Sequence, residues 1–234
     1  WNSDYFHKTV LQTSESVEEP ARIVPSMLFL LLVTCACIYF SLWKGLTTLS
    51  QVVYFTVSIP YFILFVMLIK GFTLPGAEIG LRYLVQPDWE KLKSIEIWKA
   101  ATIQAIYSGG VGLGPLMAYA AARKANTKLV YTSIGLPMFN ALTSIASAMT
   151  LFCFLGYMAE KKGVGITEVT EGGTDLAFVA YPSMMTTLAF PNLWSVLFFA
   201  MMFLTGIDCC FGGFDFIIMF LWNFFNLKNK MSRQ

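Results

Sequence analysis

Two acidic residues, Asp208 and Asp215, stand in an otherwise apolar part of the chain, where a charge is expensive. A carboxylate at the centre of a membrane helix costs about 2.5–3.5 kcal/mol, so it persists where it faces a cation, a proton path or a polar partner. We therefore expect Asp208 to bind a cation; the alternative is a protonated acid bonded to neighbouring backbone. Asp215 follows two helical turns later, and we expect it to face a cytoplasmic vestibule.

Two polar pairs have the spacing of one helix face. Gln104 and Ser108 are four residues apart, as are Asn140 and Ser144, and residues at this spacing lie side by side on a helix. Amide and hydroxyl hydrogens can donate to chloride, while the oxygens of the same groups can coordinate sodium. Ordinary hydrogen bonding between helices remains the alternative.

A glycine-rich run between these pairs predicts a broken helix near 108–114. Glycines occupy positions 109, 110, 112 and 114, and Pro115 follows. Each glycine weakens a helix, and a proline lacks the backbone N–H but suits the first turn of a new one. Such a break exposes carbonyl oxygens that can hold a cation and a half-helix N-terminus that favours an anion. A tightly packed glycine-rich helix crossing is the alternative.

The composition places these elements in a membrane. Hydrophobic residues make up 56% of the 234 residues and charged residues 13%, whereas soluble domains carry about 25% charge. The net charge of +2 does not favour a nucleic-acid partner. A membrane-spanning helix needs about 20 apolar residues. Five charge-free stretches meet this length: 23–43, 45–69, 100–122, 129–159 and 176–207. We expect an all-α, polytopic membrane protein with lipid as its surroundings.

The loops predict an orientation. The loops 44–51, 123–128 and 226–234 contain basic residues and no acids, while 1–22, 70–99 and the segment after 160 are longer and mixed in charge. Short loops rich in Lys and Arg stay in the cytoplasm. We expect the first set to be cytoplasmic and the loops 1–22, 70–99 and 160–192 to be extracellular.

Several ordered motifs resemble those of the neurotransmitter:sodium symporter family, over about residues 5–215. Besides Gln104 and Ser108, they are Tyr39-Phe-Ser-Leu-Trp-Lys-Gly45, Lys70-Gly-Phe-Thr-Leu-Pro-Gly-Ala77, Asp88-Trp-Glu-Lys-Leu92, Leu155-Gly-Tyr-Met-Ala-Glu160, Leu176-Ala-Phe-Val-Ala-Tyr-Pro182 and Gly206-Ile-Asp208. Their shared order and spacing make coincidence a poor explanation.

The resemblance implies a partial bundle, helices 4 to 8, of a twelve-helix inverted-repeat transporter. Its partners would then include helices 1–3 and 9–12, and its site would lie near the bilayer midplane at the broken helix. The implied organisation is an extracellular loop end at 1–22, a five-helix core at 23–225 and a cytoplasmic tail at 226–234. The spans would be about 23–43, 52–69, 97–122, 129–158 and 193–225, with an extracellular lid at 161–192.

The resemblance also implies which residues bind ligands, position by position. Sodium ligands would be Ser108 and Asn140 in one site and Thr205, Asp208 and Cys209 in another, with Thr205 acting through its backbone carbonyl. Chloride would lie among Gln104, Ser108, Asn140 and Ser144. The substrate pocket would be lined by Tyr107, Gly109, Gly110, Gly112, Leu113 and Cys210.

Three positions depart from the family pattern. Cys209 stands where the family usually has serine, and a thiol is a poor ligand for a hard cation. Ala122 replaces a tyrosine that supports the cytoplasmic gate, and Asn223 replaces the acid of that gate. These departures leave open whether the inner gate closes differently or transport is weak.

The expected function is therefore sodium- and chloride-coupled symport of a small amino acid, amine or related solute at the plasma membrane. This function requires neither enzyme chemistry nor a cofactor other than the coupling ions. The alternative is a truncated or degenerate family member that does not transport and acts through other membrane chains. A receptor or channel fits the span count but none of the motifs. The start at Trp1 and the five spans predict a piece of a longer protein.

Overall fold

A computed structural model describes residues 4–14, 22–43, 46–112, 114–121, 129–169 and 176–225. These residues form helices and contain no strand, which confirms the all-α prediction for this part of the chain. The α-helices are α1 (Pro25–Leu42), α2 (Leu46–Phe72), α3 (Ala77–Val85), α4 (Ile95–Ser108), α5 (Pro115–Ala121), α6 (Leu129–Lys162), α7 (Ile166–Val169), α8 (Tyr181–Met185) and α9 (Pro191–Phe224). Two π-helical segments, Tyr5–Leu11 and Leu176–Ala180, and one 3₁₀ turn, Lys91–Lys93, complete the assignment.

Within the described ranges, four helices are long and apolar enough to cross a membrane: α1, α2, α6 and α9. Most of their large side chains are exposed, including Leu30, Phe62 and Val196. A helix that is apolar all round is buried in protein or surrounded by lipid. Because these helices bury little against one another, their outer faces require lipid or further helices.

The third predicted span is divided into two helices, as the glycine run predicts. α4 begins after Ser94, whose hydroxyl accepts a hydrogen bond from the backbone N–H of Glu96 at 3.4 Å. α4 ends at Ser108, and α5 begins at Pro115, the position predicted for the first turn of the second half-helix. The broken-helix prediction near 108–114 is confirmed.

α3 and α6 pack with their backbones in contact, through glycines that the sequence analysis did not single out. A Cβ on Gly80 would overlap the carbonyl oxygen of Phe152, and a Cβ on Gly156 would lie 2.6 Å from the backbone nitrogen of Gly80. Gly76, which caps α3, has φ +78. Glycines allow two helices in a membrane to approach this closely. The predicted loop 70–99 therefore contains a helix that is fastened to α6.

The described part of the predicted lid, 161–192, is fixed to α6 and α9. Met184 and Met185 of α8 are fully buried, in a cluster with Phe154 of α6 and Phe198 of α9. The hydroxyl of Tyr157, on α6, donates to the carbonyl of Thr187 at 3.2 Å. The lid is thus connected to the end of α6 by both apolar packing and a hydrogen bond.

Some predictions fall on residues outside the described ranges. They concern Leu113, the gate position Ala122 and the loops 123–128 and 226–234. The proposed cytoplasmic and extracellular sides of the loops stay predictions.

Candidate functional site

The segment between α4 and α5 is an irregular turn with left-handed glycines. Gly110, Gly112 and Gly114 have φ angles of 65, 83 and 95°, which L side chains rarely adopt. A Cβ on Gly114 would also overlap the ring of Phe216 on α9. Gly114 is therefore required twice, for its backbone conformation and for the close approach of this segment to α9. Irregular backbone at membrane depth occurs where it is buried in protein or lines a cavity.

Beside this turn, Ser108 from the first predicted polar pair contacts Asn140 from the second pair. The amide Nδ2 of Asn140, on α6, donates to the hydroxyl oxygen of Ser108, at the end of α4, at 2.8 Å. The two residues are 32 positions apart in the chain. Since the serine oxygen accepts, its own hydrogen can point elsewhere, and the amide oxygen of Asn140 can still accept or coordinate.

The outer members of the two pairs are placed differently. Gln104 and Ser144 are both exposed. The hydroxyl of Ser144 donates to the backbone carbonyl of Asn140 at 2.9 Å. A hydroxyl rotates readily, so Ser144 would have to turn its hydrogen away from its own helix to donate to an anion. The four-residue chloride site stays a prediction.

Asp208, the first functional candidate, accepts a hydrogen bond from a residue that sequence reasoning missed. The hydroxyl of Thr56, on α2, donates to the carboxylate Oδ1 of Asp208, on α9. This bond joins positions 152 residues apart. This partner is a side chain on another helix rather than neighbouring backbone, and cation binding by Asp208 stays a prediction.

Asp208 and Thr56 line a cavity of about 620 Å³ between α2, α6 and α9. The ring of Tyr181, from the lid, also lines the cavity and stacks on Phe198 with centroids 4.6 Å apart. Besides Tyr181 on α8, residues with hydroxyl groups line the cavity from α2, α6 and α9, and they are Thr56, Tyr61, Thr143, Ser147, Thr150 and Thr205. The cavity thus combines one carboxylate with several neutral oxygen groups in mostly apolar walls.

The remaining predicted ligands are distributed around this cavity and the turn. Cys209 lines the cavity beside Asp208. The hydroxyl of Thr205 donates to the carbonyl of Met201 at 2.9 Å, which leaves its side chain committed to its own helix. Cys210 packs against a separate apolar cluster that contains Ile207. Tyr107 is 71% exposed at the end of α4. Their assigned roles stay predictions.

Asp215 does not face a vestibule, contrary to expectation. It is 1% exposed, and its carboxylate lies within electrostatic range of the Tyr119 phenol on α5. α5 packs against α9, and Gly114, just before α5, lies against the ring of Phe216, the residue after Asp215. Asn223, the altered gate position, is exposed near the end of α9.

Most of the donor atoms at the predicted cation sites are oxygen atoms. A carboxylate with hydroxyl oxygens at Asp208, and an amide oxygen with a hydroxyl at Asn140 and Ser108, are oxygen groups of the kind that hard cations prefer. The sulfur of Cys209 is the exception, since a thiol is a soft ligand. Among the described residues, no group of three or more His, Cys, Asp or Glu side chains comes together.

Comparison with known proteins gives a consistent family. A profile of the sodium:neurotransmitter symporter family matches residues 2–234. The sodium- and chloride-dependent creatine transporter 1 of Bos taurus is 37% identical over 212 residues, which are 91% of this chain and 33% of that protein. The sodium-dependent dopamine transporter of the same species is 37% identical over 233 residues, 97% of this chain and 33% of that protein.

A third relative is named for taurine, whereas the first two are named for creatine and dopamine. The sodium- and chloride-dependent taurine transporter of Bos taurus is 34% identical over 209 residues, which are 89% of this chain and 34% of that protein. The chain spans about a third of the length of the curated relatives it matches. All three relatives are transporters, not enzymes.

Proposed function

Because the chain belongs to the sodium:neurotransmitter symporter family, we propose that it forms helices 4 to 8 of a sodium- and chloride-coupled symporter. Its solute would be a small amino acid, an amine or a related compound, carried across the plasma membrane. The observation that carries this proposal is the broken helix whose end, Ser108, is bonded to Asn140 at 2.8 Å. That junction presents oxygen and N–H groups beside irregular backbone, which is how transporters of this type hold ions and substrate.

Two groups of residues would hold sodium. Ser108 and Asn140 would supply side-chain oxygens at the end of α4, and Asp208 would supply a carboxylate oxygen in the cavity. Bound sodium offsets the negative charge of Asp208 in a low-dielectric environment, where charge interactions are much stronger than in water. The residues around the turn, Tyr107, Gly109, Gly110, Gly112 and Leu113, would line the substrate pocket together with Cys210.

Ion binding would drive transport by shifting populations. A ligand that binds one conformation more tightly than another moves the equilibrium by the difference in binding free energy. The junction of Ser108 with Asn140 joins α4 to α6, and that of Thr56 with Asp208 joins α2 to α9. Each proposed ion site therefore lies where two helices meet, so ion binding favours the conformation in which those helices are together.

The proposal is tested by measuring uptake in cells that express the full-length transporter. Radiolabelled creatine, dopamine and taurine are offered with sodium or with N-methylglucamine, and with chloride or gluconate. We expect uptake of at least one of these solutes, or of a close analogue, to fall at least about tenfold without sodium, as steep coupling requires. Protein that reaches the surface but accumulates none of them would favour the non-transporting alternative.

The chloride site makes a separate prediction at Ser144. Ser144→Glu should make uptake nearly independent of chloride, because a fixed carboxylate supplies the negative charge that chloride otherwise brings. Uptake in gluconate, relative to chloride, should rise from a small fraction to about equal in this variant. Ser144→Gln has a similar size without the charge and should remain chloride-dependent. If the glutamate variant still needs chloride in full, Ser144 does not adjoin the anion.

A further inference from the structure

The hydroxyl of Thr56 has two acceptors within reach. Its oxygen lies 3.1 Å from the carbonyl of Val52, one turn earlier on α2, and it also contacts the carboxylate of Asp208 on α9. A hydroxyl carries one hydrogen and two lone pairs. The Thr56 hydrogen can therefore serve either the carbonyl of its own helix or the carboxylate of the neighbouring helix.

The two orientations of the Thr56 hydroxyl direct either its hydrogen or a lone pair of its oxygen towards Asp208. When the hydrogen points to Asp208, Thr56 donates to the carboxylate and holds it against α2. When the hydrogen points to Val52, a lone pair of the hydroxyl oxygen faces Asp208 instead, and an oxygen lone pair attracts a cation that the carboxylate binds. Rotation about a single side-chain bond connects the two orientations, with no change in the backbone.

We propose that Thr56 belongs to the cation site at Asp208, holding the carboxylate in position through its hydrogen and turning its oxygen to the sodium ion that Asp208 binds. This inference rests on the proposed function, because it assumes that Asp208 binds sodium. It adds a ligand from α2, whereas the predicted members of this site, Thr205, Asp208 and Cys209, all lie on α9. The side chain of Cys209 ends in sulfur, whereas the hydroxyl of Thr56 supplies an oxygen ligand to the site.

Other hydroxyls of the same cavity lack this arrangement. Thr143, Thr150 and Thr205 each donate to the carbonyl four residues earlier in their own helix, at 2.9 Å. Thr143 has a second contact, but with the neutral hydroxyl of Tyr61 at 3.2 Å. Among these four cavity threonines, Thr56 is the one whose hydroxyl donates to the carboxylate of Asp208.

The test measures sodium binding through thermal stability rather than transport. The full-length transporter, purified in detergent, is heated in increasing sodium chloride, with potassium or N-methylglucamine replacing sodium at constant ionic strength. Thr56→Val keeps the shape of the side chain but removes the hydroxyl. The rise of Tm with sodium concentration is fitted to give the midpoint of sodium binding, which is the sodium concentration at which half of the folded protein is occupied. We expect this midpoint to rise about tenfold in Thr56→Val, since one oxygen ligand and the positioning bond are lost.

Two further variants serve as controls for the loss of the Thr56 hydroxyl. Thr56→Ser keeps the hydroxyl and should retain a midpoint close to that of the unmodified protein. Thr143→Val removes a hydroxyl from the same cavity without touching Asp208 and should leave the sodium midpoint unchanged. If Thr56→Val does not fold, Thr56→Ala is compared with Thr56→Ser in the same measurement.

The outcomes separate this inference from the function on which it rests. An unchanged sodium midpoint in Thr56→Val, with a lower Tm in every salt, would show a merely structural residue and overturn the inference alone. An unmodified protein whose Tm does not respond to sodium would overturn sodium coupling, and the role of Thr56 with it. A midpoint raised equally by Thr56→Ser and Thr56→Val would also overturn it, because the hydroxyl would then not matter.

Discussion

Asp208→Asn in the full-length transporter should abolish sodium-driven uptake while the protein still reaches the cell surface. The substitution removes the negative charge but keeps the shape and one side-chain oxygen, which still accepts the hydrogen bond from Thr56. Losing the charged partner of an ion in a low-dielectric site costs about 3 kcal/mol, which is about 100-fold in sodium affinity. Uptake is measured over a sodium titration, and surface protein by biotinylation in the same cells.

The controls distinguish lost sodium binding from lost folding. Asp88→Asn changes an acid in the segment before α4, where Asp88 accepts backbone hydrogen bonds from Lys91 and Glu90, and should leave uptake unchanged. The Tm of Asp208→Asn in potassium should not fall, because a neutral amide is less costly than a carboxylate inside the membrane. Normal uptake by Asp208→Asn at ordinary sodium concentrations would show that Asp208 does not bind the coupling ion.

Gly156→Ala should destabilise the transporter strongly, even though it adds a single methyl group. The new Cβ would overlap the carbonyl oxygen of Gly76 and lie 2.6 Å from the nitrogen of Gly80, and neither backbone atom can rotate away. α3 must then separate from α6, at a cost of about 1–3 kcal/mol for overpacking. The measurement is the Tm of the purified protein, together with the fraction that elutes as a single species in size-exclusion chromatography.

Gly135 provides the matched control on the same helix. A Cβ on Gly135 would meet nothing within 4 Å, so Gly135→Ala should be neutral or stabilising by up to about 1 kcal/mol through helix propensity. The contrast between the two variants isolates the contact with α3 from any general effect of glycine on α6. Equal Tm values for Gly156→Ala and Gly135→Ala would mean that α3 does not pack against α6 as described.

Local chemistry explains why the broken helix was predictable. The glycines between Ser108 and Pro115 weaken a helix wherever they occur, and proline begins a new one without help from the rest of the fold. Spacing places each polar pair on one helix face, but only the family resemblance implied that Ser108 and Asn140 lie in one site. The break in the helix needed no knowledge of which helices touch, whereas this contact did.

The partner of Asp208 depends on tertiary packing and was not predictable. Thr56 resembles many hydroxyl residues of the chain, such as Thr34 and Ser58, each of which bonds the carbonyl four residues earlier. Nothing local marks Thr56 as the residue that faces an acid 152 positions away. The burial of Asp215 was missed for the same reason, because burial depends on which elements pack against α9.

The close contact of α3 with α6 was also not predicted from the sequence. Gly76 and Gly80 are four residues apart, which is a helix-packing spacing, but they lie in a segment with charged residues that read as a loop. Only the position of Gly156 opposite them shows what the spacing is for. Small residues at this spacing indicate that another segment can approach closely, but they do not identify that segment.

The helix α6 connects the lid to the broken helix. Asn140 contacts the broken helix at Ser108, and Tyr157, 17 residues further along α6, donates a hydrogen bond to Thr187 of the lid. At 1.5 Å per residue the two points are roughly 25 Å apart on one continuous helix. No break in the helix separates Asn140 from Tyr157, so a tilt of α6 would move its contact with the broken helix and its contact with the lid together.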